Sequence, residues 1–536
     1  MFKIQRFRIF LITALLTGCA SNSFRFKDAE PVMYFNDIHP IPSPESVQYE
    51  RFDYYANVLP ELPRLKHSFV RDSKRSMDVN SMDEVPASSW FIPRLGFQDI
   101  SPEELVNGPV EYGPPQPPLK IIRVRKRKQN PRLFVRDRRG IYYLLKFDPP
   151  DFPGIATTTS FIVNRLFWGF GYHVPEDHSF YFKREDLIAG PEIILTDKEI
   201  DQILSRVAGP VNGYYRSISS RIIEGYPLGP TPAQGVRPDD PNDLFPHENR
   251  RVLRALHVFC AFTNMCDISS DNTLDMYVGE KDKGYIKHYL VDFDDAFGTH
   301  AARTRRLWAG YNHLFSFNDI MKNLFTIGLI VEDWENLDNK SWKSVGSFEG
   351  DIFDPAKWKE THPYQPIRKS QQQDDYWAAK KIGALTEQHI KALVKAANYP
   401  EPQAEEYIIQ TLLKRRHKIL RYFLCRVSPA EFLDYKNSHL HIADMGRILL
   451  QDEFPETRYE MNYYDDSDNR LIEETILTSD SAVVNFPIAP YLFEKANNYL
   501  RVDVKIHRKN MPDAEPAQFH LLRRNDQSVV LVGVVH

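Results

Sequence analysis

The sequence predicts an α+β protein in three parts: a proline-rich N-terminal arm, a core in which a small sheet precedes a helical half, and a C-terminal β-sandwich-like domain. Three observations predict it. Short apolar runs surround one helical stretch between Leu119 and Phe182, helical spacing dominates from Pro246 to Val427, and short alternating runs return after Pro429. A chain of 536 residues is also too long for one ordinary core. The expected parts are a leader over residues 1–18, the arm over 19–118, the core over 119–428 and the β-domain over 429–536.

Each element follows from its pattern. The arm carries Pro40-Ile41-Pro42-Ser43-Pro44 and Gly113-Pro114-Pro115-Gln116-Pro117-Pro118, which read as extended polyproline-like chain. Between them, Ser88-Ser89-Trp90-Phe91-Ile92 is too apolar for a bare linker, so the arm is expected to wrap onto the body. Strands are predicted over Lys120–Lys126, Arg132–Arg136 and Ile141–Phe147, the last ended by Asp148-Pro149-Pro150 because proline cannot donate into a ladder. Thr157–Phe170 has helical spacing stopped by Gly171, and His178–Phe182 is one more strand. Leu253, Leu256 and Cys260 mark the buried face of a helix within Pro246–Met265. A β pair follows at Thr273–Val278 and Tyr285–Phe293. Three helices are expected between Asp374 and Val427, with Arg415 and Arg416 on the wet face of the last. Ser428–Lys436 reads as a polar linker into the β-domain, whose strands include Tyr499–His507, Phe519–Arg523 and Val529–Val535.

The N-terminus predicts export. Lys3, Arg6 and Arg8 precede a short apolar run, Ile9–Leu16, of signal-peptide length and well below the roughly 20 residues a membrane-spanning helix needs. The run ends in Leu16-Thr17-Gly18-Cys19, the pattern of a lipobox, which makes Cys19 the expected lipidation site. Ala20, where an aspartate would retain a Gram-negative lipoprotein at the inner membrane, suggests sorting to the outer membrane, facing the periplasm or the exterior. The membrane, reached through that lipid, is then the first partner. A formal charge of −4, more acidic once the basic leader is removed, argues against nucleic acid. Cys260, Cys266 and Cys425 are an odd remainder with no zinc-ligand cluster around them, and read as buried free thiols.

A sheet with an inserted helix, then a helical half, is the order of a protein-kinase-like fold. Such a site needs a lysine on the sheet over the nucleotide, an acid near the accepting hydroxyl, an amide ligand five residues later and a second carboxylate on the metal. Lys146 is the one charge in IYYLLKF, Asp267 and Asn272 have D-x4-N spacing, and Asp292 ends the strand in VDFDDAFG. Each also has a plain reading: a lysine snorkelling to solvent, an Asx-turn leaving a helix, a loop that is simply acidic.

The segments DVNSMDEVPASSWF, KFDPPDFPGIATTTSFIVNRLFWGFGYHVPED, RPDDPNDLFPHENRR, DISSDNTLDMYV, HYLVDFDDAFG and SVGSFEGDIFDPAKW resemble a family of bacterial exported lipoproteins. That family has a kinase-like core distantly similar to the spore-coat and HipA-type atypical kinases. The resemblance runs from about Asp78 to Val427. It implies a two-lobed kinase-like core with Lys146 as the nucleotide lysine, Asp267 as the base, and Asn272 and Asp292 as the metal ligands. Two departures point to a degenerate site. The turn KRKQNPRL (Lys126–Leu133) lacks the glycine that lets backbone approach phosphate, and Ser160 stands where a helix glutamate would hold the strand lysine. An exported protein also meets no maintained ATP pool. The expectation is therefore a catalytically dead kinase-like lipoprotein that binds an envelope protein or glycan. The alternative is a phosphotransferase using magnesium and ATP on an envelope or extracellular substrate.

Overall fold

The structure is a computed structural model that describes residues 25–45, 74–125, 130–299, 307–313, 332–336, 342–450, 457–509 and 511–536. The leader, Cys19 and the basic turn Lys126–Gln129 lie outside the described residues. Among the described residues no helix is long and apolar enough to cross a membrane.

Apolar residues spaced through 85–105 explain why that part of the chain folds back on the body. Val85, Trp90, Phe91 and Leu95 are buried in the main core, as is Leu105 of a short helix, α1 (Pro102–Asn107). Ser101 caps α1 by accepting from the Glu104 N–H.

Alternation then sets a mostly antiparallel sheet. β1 (Leu119–Arg125), β2 (Arg132–Arg136) and β3 (Tyr142–Lys146) pair in sequence. The helix α2 (Ile155–Phe170) intervenes before β4 (Asp177–Phe182), β5 (Leu187–Ala189), the helix α3 (Asp197–Leu204) and β6 (Tyr215–Arg221). The spatial order is β4-β6-β3-β2-β1-β5, antiparallel throughout except for the pair β1 and β5. Leu133, Val135, Tyr143, Leu145 and Phe182 on one face bury against Ile200, Ile203 and Leu204 of α3. Since residues two apart share a face, the pairs Lys146–Ile218 and Ser220–Asp177 put Lys146 and Asp177 together on the other face.

Asp148 does more than end β3. Its carboxylate accepts the Ala156 and Thr157 N–H groups and the Thr157 hydroxyl, satisfying donors that a helix start leaves open. At the other end Gly171 stops α2 at φ +116°, against the Phe91 ring, where a Cβ would collide. All of α2 but Trp168 is buried, because α1 and its flanking arm cover the side away from the sheet.

The second half is helical: α4 (Leu256–Thr263), α5 (Gln372–Gly383), α6 (Glu387–Ala397) and α7 (Pro402–Phe423). A three-stranded sheet of β7 (Tyr226–Gly229), β8 (Thr273–Val278) and β9 (Tyr285–Leu290) stands beside them. Cys260, Cys266 and Cys425 are free and buried. The expectation of a wet Arg415 fails. It is 2% exposed and donates to the carbonyls of Phe262 at 2.9 Å, Glu349 at 2.8 Å and Ala261 at 2.5 Å. Its three carbonyl acceptors meet the cost of burying the charge.

The expected linker at 428–436 is also structured. Ser428 is buried, and β10 (Ala430–Lys436) pairs along its length with β11 (His439–Asp444). Beyond them come β12 (Thr457–Tyr464), β13 (Thr475–Ser479), β14 (Val483–Pro487), β15 (Tyr499–His507), β16 (Ala517–Arg523) and β17 (Val529–Val535). They form two sheets, β10-β11-β14 and β13-β12-β15-β16-β17, enclosing one core that includes Leu440, Phe486, Met461, Val504 and Phe519. Phe26 packs on this region with Tyr499 and Val532.

Candidate functional site

Two chain positions 146 residues apart close the site. Lys146, at the end of β3, places its ammonium 2.7 Å from a carboxylate oxygen of Asp292. Asp292 stands two residues beyond β9, in the left-handed region at φ 63°, a conformation uncommon for a residue with a side chain. Arg132 of β2 reaches the same oxygen at 3.3 Å and Asp294 at 3.5 Å. The Asp292 side chain keeps 36% of its exposure, against 12–14% for Lys146, Arg132 and Asp294.

The charges are settled by these contacts. Burial opposes the Asp292 charge, but Lys146 and Arg132 outweigh it and hold that carboxyl far below the usual range. Burial together with the neighbouring Asp292 charge instead pushes Asp294 up to about 7. Burial also opposes the charge on Lys146 and Arg132, yet Asp292 and Asp294 overcome it and both cations stay firmly protonated.

Asp267 and Asn272 share the loop between α4 and β8. The loop starts where Asn264 ends α4 in the left-handed conformation. Asp267 is half-buried and Asn272 is 8% exposed. The Asn272 carbonyl accepts the Val291 N–H at 2.8 Å, so this loop is fastened to the residue before Asp292. The Asn272 amide oxygen accepts from the Ser269 hydroxyl at 3.4 Å. Lys146 and Asp292 thus touch, Asn272 is joined to their neighbourhood through backbone, and Asp267 lies five residues earlier on that loop. Cys19 is outside the described residues.

Three site residues escaped the sequence reading. Arg132 counted only as charge in a basic turn, and Asp294 only as part of an acidic loop. Asp177 gave no signal because β6, which sets it on the Lys146 face, was not recognised. The Asp177 carboxyl is 2% exposed, with one oxygen that finds no hydrogen-bond partner among the described residues. Burial raises its pKa against the pull of Lys146.

Chemically this is a corner with two fixed cations, one fixed anion and one acid that titrates near neutrality. Lys146 and Arg132 are the groups an anion such as a phosphate would meet, although Asp292, Asp294 and the neighbouring Asp295 already oppose their charge. The oxygens of Asn272, Asp292 and Asp294 are the hard donors that magnesium prefers, although Asp292 is already shared by two side-chain cations. Among the described residues no three His, Cys, Asp or Glu side chains are grouped to hold a metal by themselves. No protein-family model matches the chain, and no curated protein matches it.

Proposed function

We propose that this chain is a lipoprotein of the outer membrane, anchored through Cys19, whose kinase-like core is degenerate and serves as a binding or scaffold module of the cell envelope. One observation carries the reading. The carboxylate at the metal-ligand position, Asp292, is already balanced by Lys146 at 2.7 Å and Arg132 at 3.3 Å. A divalent cation there has to break both ion pairs. It also meets Asp294 largely protonated below its pKa of about 7, one charge short of the anionic oxygen set magnesium favours. The partner class that fits an exported, mildly acidic protein is an envelope protein or glycan, not nucleic acid.

A second reading is an active phosphotransferase, favoured by the Asp267–Asn272 loop being fastened to Val291. There Lys146 would hold nucleotide phosphate, Asn272 and Asp292 would hold magnesium, and Asp267 would orient and deprotonate the accepting hydroxyl. Bound magnesium would supply charge neutralisation at the transferring phosphoryl group.

Thermal unfolding with magnesium and ATP separates the two. A ligand at a hundredfold excess over its Kd stabilises the native state by about 2.7 kcal/mol, a shift of a few degrees in a domain this large. The binding-module reading expects no joint shift. A rise that needs metal and nucleotide together, is erased by Asp292→Ala and survives Asp267→Ala would replace it with the enzyme reading. For the anchor, Cys19→Ala is expected to give unprocessed or soluble protein without lipid label, and normal labelling would remove the localisation.

A further inference from the structure

A cavity of about 640 Å³ lies where the arm, the turn after α2, the chain leaving β6 and the β8–β9 hairpin meet. Lys146, Asp267, Asn272 and Asp292 do not line it. Its volume is in the range of small-ligand sites, roughly 300–1,000 Å³.

One wall is the face of β9. Tyr285, Lys287 and Tyr289 alternate along the strand, so their side chains share a side, and all three line the cavity. The Lys287 ammonium is 5.4 Å from the centre of the Tyr289 ring and, among the described residues, has no hydrogen bond or ion pair. Arg94 stands on the same wall. It donates to the carbonyls of Trp168 at 2.8 Å and Tyr172 at 3.4 Å and stacks over the Trp168 ring at 4.6 Å. Among the described residues it too has no carboxylate partner. Burial, then the Arg94 charge, lower the Lys287 pKa against the smaller pull of Glu111.

Another part of the lining is acidic and already organised. Arg221 holds Glu111 at 2.8 Å, Glu224 at 2.9 Å and Glu176 at 3.2 Å. Glu176 is further saturated by the Tyr112 and Gly113 N–H groups. Glu111 and Glu224 are exposed, with side-chain fractions of 66% and 71%, so their oxygens keep lone pairs for hydroxyl donors.

We infer that this cavity binds an acidic saccharide, one or two sugar residues bearing a carboxylate. The carboxylate pairs with Lys287 and Arg94, a pyranose face lies on Tyr285 and Tyr289, and ring hydroxyls donate to Glu111 and Glu224. No simpler ligand uses all three features. A bare phosphate leaves the tyrosines idle, a neutral sugar leaves Lys287 unpaired, and an aromatic acid sets an apolar edge against the glutamates. The assignment does not depend on how the Lys146–Asp292 cleft is read.

Calorimetric titration of the purified protein with D-glucuronate, digalacturonate, D-glucose and inorganic phosphate tests it. A uronate is expected to bind, with glucose and phosphate each weaker by about tenfold or more, the share of one charge-assisted hydrogen bond. Lys287→Met, which keeps the length and apolar stem, is expected to lose the same factor, and Lys287→Arg to recover most of it. Asp292→Ala is expected to leave uronate affinity unchanged. Absence of uronate binding, equal binding of glucose, phosphate as tight as uronate, or full affinity in Lys287→Met would each overturn the assignment. The wild-type comparison of the four probes decides the matter even if Lys287→Met does not fold.

Discussion

Two clusters of arginine, lysine and aspartate in this molecule are built from the same residue types and behave in opposite ways. One lies deep between the arm, the helical body and the C-terminus. There Arg251 bridges Asp83 and Asp374 at 3.0 Å each, and Arg254 adds Asp374 at 3.4 Å. The Ser76 hydroxyl and the Gln371 N–H complete the coordination of Asp374, and His536 donates to Asp83 at 3.0 Å. Arg251, Arg254, Asp83 and Asp374 are each at most 4% exposed. The other cluster is the cleft, where Asp292 remains partly open and Asp294 is the acid out of balance. A buried network with every charge paired clamps three parts of the chain together. A partly open one that holds an acid in the neutral range is free to answer a ligand. The difference lies in burial and charge balance, not composition.

The largest effect expected from this contrast is in the deep cluster. Asp374→Ala strips Arg251 and Arg254 of a shared partner in a dry site and is expected to cost about 3–5 kcal/mol, read as a lower denaturation midpoint. A loss below about 1 kcal/mol would mean that the clamp does not hold the arm to the body.

Next is the pH response, where the two clusters should differ in sign. Asp294 has a folded pKa of about 7 against an ordinary 3.8, so the folded state keeps a proton that the unfolded chain releases. The stability it contributes is full below the ordinary value and is lost as pH rises through about 7. Asp83 runs the other way. Burial opposes its charge, but Arg251, His536 and Arg75 hold its carboxyl well below the usual range, so its contribution is lost only as pH falls below that range. Asp294→Asn is expected to flatten stability between pH 5 and 8 and to gain on the order of 1–2 kcal/mol at the alkaline end. A wild-type curve no steeper than the variant's over that interval would show that Asp294 is not the acid out of balance.

The smallest effect is expected at Asp292 itself. Asp292→Ala removes the partner of Lys146 and Arg132 but also relieves Asp294 of its charged neighbour. Asp294 then ionises and takes over as partner of Arg132, so the net change in stability should be within about 1 kcal/mol. A cost approaching that of Asp374→Ala would make the cleft a structural clamp as well and erase the contrast.

How much of this was legible depended on range. The strands at 119–125, 132–136 and 142–146 and the helix ending at Gly171 follow from periodicity and punctuation, which act over a few residues. The β8–β9 hairpin was legible for the same reason, although its second strand stops at Leu290, short of the expected Phe293. β6 was not legible. Its sequence YRSISSR carries three serines where a buried strand usually carries apolar residues, yet Ser217 and Ser219 are fully buried. Arg415 was misread because helical periodicity sorts charged residues to the outside, and nothing near it announces three waiting carbonyls from elsewhere in the fold.

The sequence alone carried the α+β class, the order of sheet before helices, the approximate bounds of β1–β4, α2, β8, β9 and β15–β17, and the choice of Lys146, Asp267, Asn272 and Asp292 as candidates. These depend on the residue types present and on short-range pattern. Packing alone settles which of them meet, that Arg132 joins Lys146 on Asp292, that Asp294 sits near neutrality, and that Lys287 faces a cavity with no hydrogen bond or ion pair among the described residues. Those outcomes depend on closing loops of a hundred residues and more and on how much water each charge keeps. Chain closure and desolvation are properties of the packed molecule that no local stretch of sequence encodes.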